Sequence, residues 1–262
     1  MARRRFDVSS VHERRRALRS ELTAGRRLVG TFVKLANADI VEMAAAAGFQ
    51  FVVVDLEHST LTEVDALGLV RHADAGGVPA LVRVPAVDPP LIARLLENGA
   101  VGIQLSMLRT AEQARRLMAA THFAPSGERS VSLANRVAGF GATSLRDFLQ
   151  LEAEAPPLLV GQIETGIAEP WPDVLHGLDV AFVGTTDLSV NLGLPSIGEL
   201  SAAVERVRLA AEAAGVAFGG WSASLSAAPA QGLAEAGYLV VGSDLQILAA
   251  GLRAALSPEG GN

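Results

Sequence analysis

Four apolar runs in this sequence end in side chains that can hold charge or move a proton. Asp55-Leu56-Glu57-His58 closes the run that starts at Phe51, and Arg83 stands near the end of Ala80–Val84. Gln162-Ile163-Glu164 ends the run from Leu158, and Gly184-Thr185-Thr186-Asp187 follows Val180–Val183. Glu164 and Asp187 are carboxylates in a chain without cysteine, so they offer hard oxygen ligands. Such a pair suits Mg²⁺ or Mn²⁺, with Co²⁺ or Zn²⁺ as alternatives, and leaves positions open for water and substrate. An open divalent site beside one arginine and one histidine suits a 2-oxo acid, chelated through its carboxylate and keto oxygens. Arg83 would stabilise the enolate oxygen while His58 moves a proton, directly or through water. Each piece alone has a plainer explanation. Asp55 or Asp187 is equally a helix N-cap, His58 a hydrogen-bonded loop residue, and Arg83 the partner of a neighbouring carboxylate. The chemistry is argued from their coincidence. His12, His72, His122 and His176 fall away from strand ends and read as structural.

To meet, these residues need a fold that gathers strand ends. From Leu28 onward, eight apolar runs alternate with stretches of helical spacing: Leu28–Leu35, Phe51–Leu56, Ala80–Val84, Val101–Leu105, Leu158–Ile163, Val180–Val183, Val216–Gly219 and Tyr238–Val241. Near-continuous apolar runs suit strands buried on both faces of a parallel sheet. A helical stretch is expected after each, among them Asp39–Ala47, Glu63–Ala75, Pro89–Asn98, Ala111–Ala120 and Leu200–Ala214. Gly48, Gly76, Gly99, Gly215 and Gly237 fit helix C-terminal caps. Eight such units predict an α/β fold, a single-domain (β/α)₈ TIM barrel with an N-terminal helix, and its active site belongs at the C-terminal ends of the strands. The alternative, an open doubly wound sheet, calls for a glycine-rich phosphate turn after the first strand, and Lys34-Leu35-Ala36-Asn37 is not one.

Three segments are expected: a basic helical stretch over 1–27, the barrel over 28–256 and a short tail over 257–262. The first 27 residues hold nine arginines against Asp7, Glu13 and Glu21, which reads as a solvated helix. Phe123–Pro157 interrupts the alternation and is expected to hold a loop and an extra helix. The chain has 262 residues, half of them hydrophobic, a formal charge of −6 and no cysteine. These values exclude a disordered chain, disulfides and thiolate chemistry, argue against a nucleic-acid binder and suit a cytoplasmic protein. The longest uncharged stretch of apolar character, Met43–Val54, is short of the roughly 18 residues that span a bilayer, so no membrane partner is expected. Lys34 is the only lysine, and any Schiff-base mechanism would have to use it.

The same residues carry a resemblance. Ala47-Gly48-Phe49, Asp55-Leu56-Glu57-His58, Leu81-Val82-Arg83, Leu95-Leu96-Glu97-Asn98-Gly99-Ala100, Gln162-Ile163-Glu164-Thr165 and Val183-Gly184-Thr185-Thr186-Asp187-Leu188-Ser189 occur in this order. Together they resemble the metal-dependent class II pyruvate aldolases of the HpcH/HpaI type, from about Gly30 to Ala250. The resemblance implies Glu164 and Asp187 as metal ligands, His58 as base, and Arg83 as the enolate stabiliser. Gln162, Thr185, Thr186 and Asp187 would line the pyruvyl group. Glu97 takes the place of an aspartate that assists the histidine. The departures are Glu97 itself, Thr185-Thr186 for a usual Pro-Ala, Ser106 for a common proline, and Arg129-Ser130 for a usual Arg-Gly. The implied activity is a carbon–carbon lyase that splits a 4-hydroxy-2-oxo acid into pyruvate and an aldehyde. Two alternatives stand beside it. One is a biosynthetic relative that decarboxylates oxaloacetate and adds the enolate to another acceptor; the other is a non-catalytic barrel that only binds. Assembly as a homo-oligomer, a hexamer built from dimers, is also implied, and the apolar stretch Leu245–Leu256 offers a face for it.

Overall fold

The computed structural model describes residues 9–256. Eight parallel strands close on themselves in chain order: β1 (Leu28–Val33), β2 (Phe51–Asp55), β3 (Ala80–Val84), β4 (Gly102–Leu105), β5 (Leu158–Ile163), β6 (Val180–Val183), β7 (Ala217–Ser222) and β8 (Tyr238–Ser243). Around them lie α1 (Ser9–Thr23), α2 (Asp39–Ala46), α3 (Glu63–Ala75), α4 (Pro89–Glu97), α5 (Ala111–Thr121), α6 (Leu145–Glu154), α7 (Trp171–Leu175), α8 (Thr185–Asn191), α9 (Ile197–Ala214) and α10 (Asp244–Leu256). This is the (β/α)₈ barrel that the alternation predicts. Positions 1–8 of the basic stretch and the tail 257–262 lie outside the described residues.

Strand alternation sorts each apolar run into two cores. On β2, Val52 and Val54 pack outward against the helices, while Phe51 and Val53 point into the barrel. The interior is filled by large aromatics against glycine. The ring of Phe51 occupies the space a Cβ on Gly30 would need, and it stacks on Tyr238 at 4.5 Å, which in turn meets Phe182 edge-on. The same inward series, continued past each strand's apolar part, arrives at Lys34, Asp55, Arg83, Gln162 and Glu164. The polar C-terminal mouth of the barrel is therefore the last turn of a packing pattern.

Helix starts follow local chemistry. Thr62, Thr110 and Ser196 close capping boxes on α3, α5 and α9, and Asp88 caps α4 ahead of two prolines. Gly215 ends α9 in the left-handed region, as a C-terminal glycine should. At the end of α3 the expected role moves by one residue: Gly76 is right-handed and Gly77 carries the positive φ of 76°.

Two expectations need correction. No α-helix lies between β7 and β8; Pro229–Gln231 forms only a short 3₁₀ turn, because Pro229 and Gly232 leave too few uninterrupted residues for a helix. The second concerns α1, which does not lie in solvent. Val11, His12, Arg15 and Leu18 are buried, with His12 and Arg15 at 0% exposure. Arg15 reaches Glu152 (3.0 Å) and the carbonyls of Ala100 and Ala155, and His12 Nε2 lies 2.9 Å from the same carboxylate. Arg19 grips Asp179 through two nitrogens, and Arg14 pairs with Asp74. The helix closes the N-terminal end of the barrel, and its arginines are spent on carboxylates more than 50 residues away.

Candidate active site

At the opposite end, Asp55 is the hinge of the site. Its Oδ1 accepts from Arg83 Nε (2.8 Å) and from the backbone N–H groups of Glu57 and His58; its Oδ2 accepts from a terminal nitrogen of Arg83 (2.6 Å). Burial alone would raise this carboxyl. The Arg83 guanidinium and the two N–H donors override it and hold the group at about 2. Arg83 is thus fixed in plane by a bidentate clamp, with its carbon 4.4 Å from the centre of the Phe32 ring. Its remaining terminal nitrogen lies 3.3 Å from Glu57.

Glu57, inside the Asp55-Leu56-Glu57-His58 motif, gains its role only in the fold. Its carboxylate accepts from the Ser106 hydroxyl and lies 3.7 Å from His58 Nε2. Ser106, an unexplained departure in the sequence, therefore has a function of place: a proline there would leave Glu57 without that donor. Met107 follows with φ of 51°, uncommon for a side chain of its type, and its N–H donates to Glu164 Oε2 (2.8 Å). No one-dimensional signal marks this turn.

Glu164 is 1% exposed and anchored at both oxygens, the second by Gln162 Nε2 (2.7 Å), which is itself held by Gln104 (2.6 Å). Burial raises its carboxyl to about 7 against the pull of those two hydrogen bonds, and the carboxylates of Glu57 and Asp187 push it the same way. A Cβ on Gly184 would run into this side chain, so only glycine lets β6 approach it so closely. Asn191 ties the carbonyls of Glu164 and Asp187 together, which sets α8 against the end of β5. Among the described residues no group of three or more His, Cys, Asp or Glu side chains forms a metal site. The donors present do fit a divalent ion. The buried Glu164 and the half-buried Asp187 repel each other and keep lone pairs free, which a cation would relieve with water or substrate completing its shell.

These groups surround a solvent-open cavity of about 170 Å³. It is lined by His58, Arg83, Gln162, Thr185, Thr186 and Asp187, so all but two of the expected site residues share one space. Glu164 lies just beneath it, against Gly184 of its wall. Glu97 is the exception. It ends α4, which runs back along the barrel, so it sits at the N-terminal end, where its carbonyl accepts from Val137 and its side chain feels Arg129. Burial raises its carboxyl, with Arg129 and Arg94 opposing. The expected contact of Glu97 with His58 is not made within this chain; the carboxylates beside His58 are Asp55 and Glu57.

Residues 28–249 match the HpcH/HpaI aldolase/citrate lyase family. The chain belongs to that family. It is 33% identical over 244 residues to the 4-hydroxy-2-oxo-heptane-1,7-dioate aldolase of Salmonella paratyphi A, covering 91% of this chain and 92% of the relative. The crystal structure of an HpcH/HpaI aldolase from Desulfitobacterium hafniense superposes with a TM-score of 0.81 at 30% identity, over 93% of this chain and 98% of that one. Macrophomate synthase shares the fold, with a TM-score of 0.77 at 23% identity over 92% and 87% of the two chains. The protein is a carbon–carbon lyase of the aldolase type. No described helix is long and apolar enough to cross a membrane.

Proposed function

We propose that this aldolase cleaves a 4-hydroxy-2-oxo acid into pyruvate and an aldehyde with the help of a divalent ion, Mg²⁺ or Mn²⁺ first and Co²⁺ or Zn²⁺ as alternatives. The observation that carries the reading is the buried Glu164 carboxylate, held by the Met107 N–H and Gln162 beneath a cavity that Asp187, the clamped Arg83 and the exposed His58 line together. Glu164 and Asp187 would hold the ion, whose chemistry is to polarise the oxo group and offset the charge that develops there.

The remaining steps belong to the protein. His58, 56% exposed in its side chain, accepts the proton of the C4 hydroxyl directly or through water. The C3–C4 bond breaks, the aldehyde leaves, and the electron pair moves to the C2 oxygen as an enolate. Arg83, already oriented by Asp55, stabilises that oxygen without reorganising. Return of a proton to C3 gives pyruvate. Gln162, Thr185 and Thr186 line the space for the oxo acid, and the two threonine hydroxyls narrow it beside Asp187.

Pyruvate release from a 4-hydroxy-2-oxo acid tests the reading. Exhaustive chelation is expected to abolish it, and Mg²⁺, Mn²⁺ or Co²⁺ to restore it. Glu164→Ala and Asp187→Ala are each expected to lose turnover while staying folded by circular dichroism, since removing one of two repelling carboxylates relieves the empty site. Full turnover in chelator would refute it.

We also propose that the chain works as a homo-oligomer. Along α10 only Asp244 is buried, while Leu245, Ile247, Leu248 and Leu252 stay exposed. An apolar stripe of this kind is an interface in search of a partner.

A further inference from the structure

A substrate held by its oxo-acid end near β5 and β6 can extend its other end across the mouth of the barrel, within the same cavity. Strand order sets where it arrives: β1 stands four strands from β5 in the closed ring, flanked by β2 and β8. Lys34 occupies that side. It continues the inward series Leu28, Gly30, Phe32 by one more step, and it lines the same cavity as His58 and Arg83. Its position is built rather than incidental. The backbone N–H groups of Lys34 and Leu35 both donate to Asp244 Oδ2, at 2.8 and 2.9 Å, so the buried first residue of α10 fixes where the side chain starts.

The donor inventory then separates Lys34 from Arg83. Arg83 commits Nε and one terminal nitrogen to Asp55 and directs the other at Glu57. The Lys34 ammonium has three N–H donors and, among the described residues, one ion-pair partner, Asp55 Oδ2 at 3.2 Å. That carboxylate is already served by two nitrogens of Arg83 and two backbone N–H groups. Lys34 therefore has two donors to spare, a charge that Asp55 does not require, and 18% of its side chain open to the cavity. The other polar groups on this side, Ser243 and Gln246, are uncharged and already bonded to each other.

We infer that Lys34 is a specificity-determining residue: its ammonium receives a carboxylate on the aldehyde-derived end of the substrate. The inference rests on the aldolase reading above. It makes the enzyme a reader of two acidic ends, one near β5 and β6 and one at Lys34.

Condensation of pyruvate with two four-carbon aldehydes tests it, one ending in a carboxylate and the other butanal. The wild type is expected to prefer the acidic aldehyde in kcat/KM. Lys34→Met is expected to lower that preference by about 10- to 100-fold, the scale of one charge-assisted hydrogen bond, with the loss mainly in KM for the aldehyde, and Lys34→Arg to restore part of it. A preference unchanged by Lys34→Met overturns the inference. So does a wild type without preference that still exchanges the methyl protons of pyruvate with solvent, and in that case the aldolase reading survives. Loss of proton exchange as well would remove both.

Protection of the unsubstituted holoenzyme keeps the test independent of variant folding. Because Lys34 is the only lysine, reductive methylation followed by peptide mapping reports on it alone among side chains. 2-Oxoadipate is expected to protect Lys34 more strongly than 2-oxohexanoate, which lacks the second carboxylate. Equal protection would overturn the inference.

Discussion

At the scale of residues, the site works by committing charges before substrate arrives. Asp55 spends its carboxylate on Arg83 and on the turn that carries His58, so one side chain orients both the proposed enolate stabiliser and the proposed base. Lysine cannot reproduce the planar two-point grip, and Arg83→Lys is expected to lower kcat by about 100-fold or more, read in the pyruvate-release assay. His58→Ala is expected to lose about 10²- to 10⁴-fold and, with it, the acidic limb of the pH–rate profile. A retained limb would assign the base elsewhere. Asp55 also predicts an acid dependence of stability. Its carboxyl titrates at about 2 in the folded chain against an ordinary 3.8, so folding is favoured while it is ionised. The stabilisation is fully present above about pH 4 and is lost as pH falls toward 2. A shift of nearly two units corresponds to about 2 kcal/mol. Asp55→Asn should remove that part of the acid slope in urea titrations run between pH 2 and 5.

At the scale of elements, strands and helices were readable where their chemistry is local. The β2, β3, β5 and β6 ends and the capping boxes lie within a few residues of the side chains that define them. The two faces of each strand were not separable by period, because both are apolar; only the closed sheet reveals that Lys34 shares an inward column with Phe32. Glu57, Ser106 and Met107 become a support for Glu164 and Arg83 only when β2, β3, β4 and β5 stand side by side. Glu97 does not reach His58 within one chain, and a match along the chain does not report which end of the barrel a residue falls on. The charge pattern of α1 pointed to solvent for the same reason: the carboxylates that receive its arginines come from distant α3, α6 and the loop before β6. Burial would raise the Glu152 carboxyl, yet Arg15, His12 and Arg129 hold it well below the ordinary carboxylate range. Removing one partner of such a buried set leaves uncompensated charge. Arg15→Ala is expected to cost about 3–5 kcal/mol in equilibrium urea unfolding, although Arg15 lies at the end of the barrel remote from the cavity. A midpoint equal to the wild type would mean that α1 does not close the barrel as described.

At the scale of the whole molecule, α10 is a helix that buries no apolar side chain of its own within the chain. Asp244 docks the start of α10 by accepting from the N–H groups of Lys34 and Leu35, after which the helix exposes leucine and isoleucine on several sides. Leu248 is 51% and Leu252 62% exposed, whereas α3, α4 and α5 each bury several apolar side chains against the barrel. A stable interface takes roughly 1,200–2,000 Å² in total, about 20–30 residues a side, so α10 would form part of a larger contact rather than all of it. Two arginines in place of these leucines should repel their copies across such a contact, yet they sit in solvent in the isolated chain and should leave its fold intact. Light scattering at micromolar concentration is therefore expected to give a multiple of the single-chain mass for the wild type. Leu248→Arg/Leu252→Arg is expected to give a smaller species, with unchanged far-ultraviolet circular dichroism. The start of α10 also fixes Lys34, so the dissociated variant should lose preference for an acidic aldehyde if the assembly holds Asp244 in place, and keep it if Asp244 suffices. A wild type that scatters as a single chain would sink the assembly proposal while leaving the chemistry of the barrel mouth untouched.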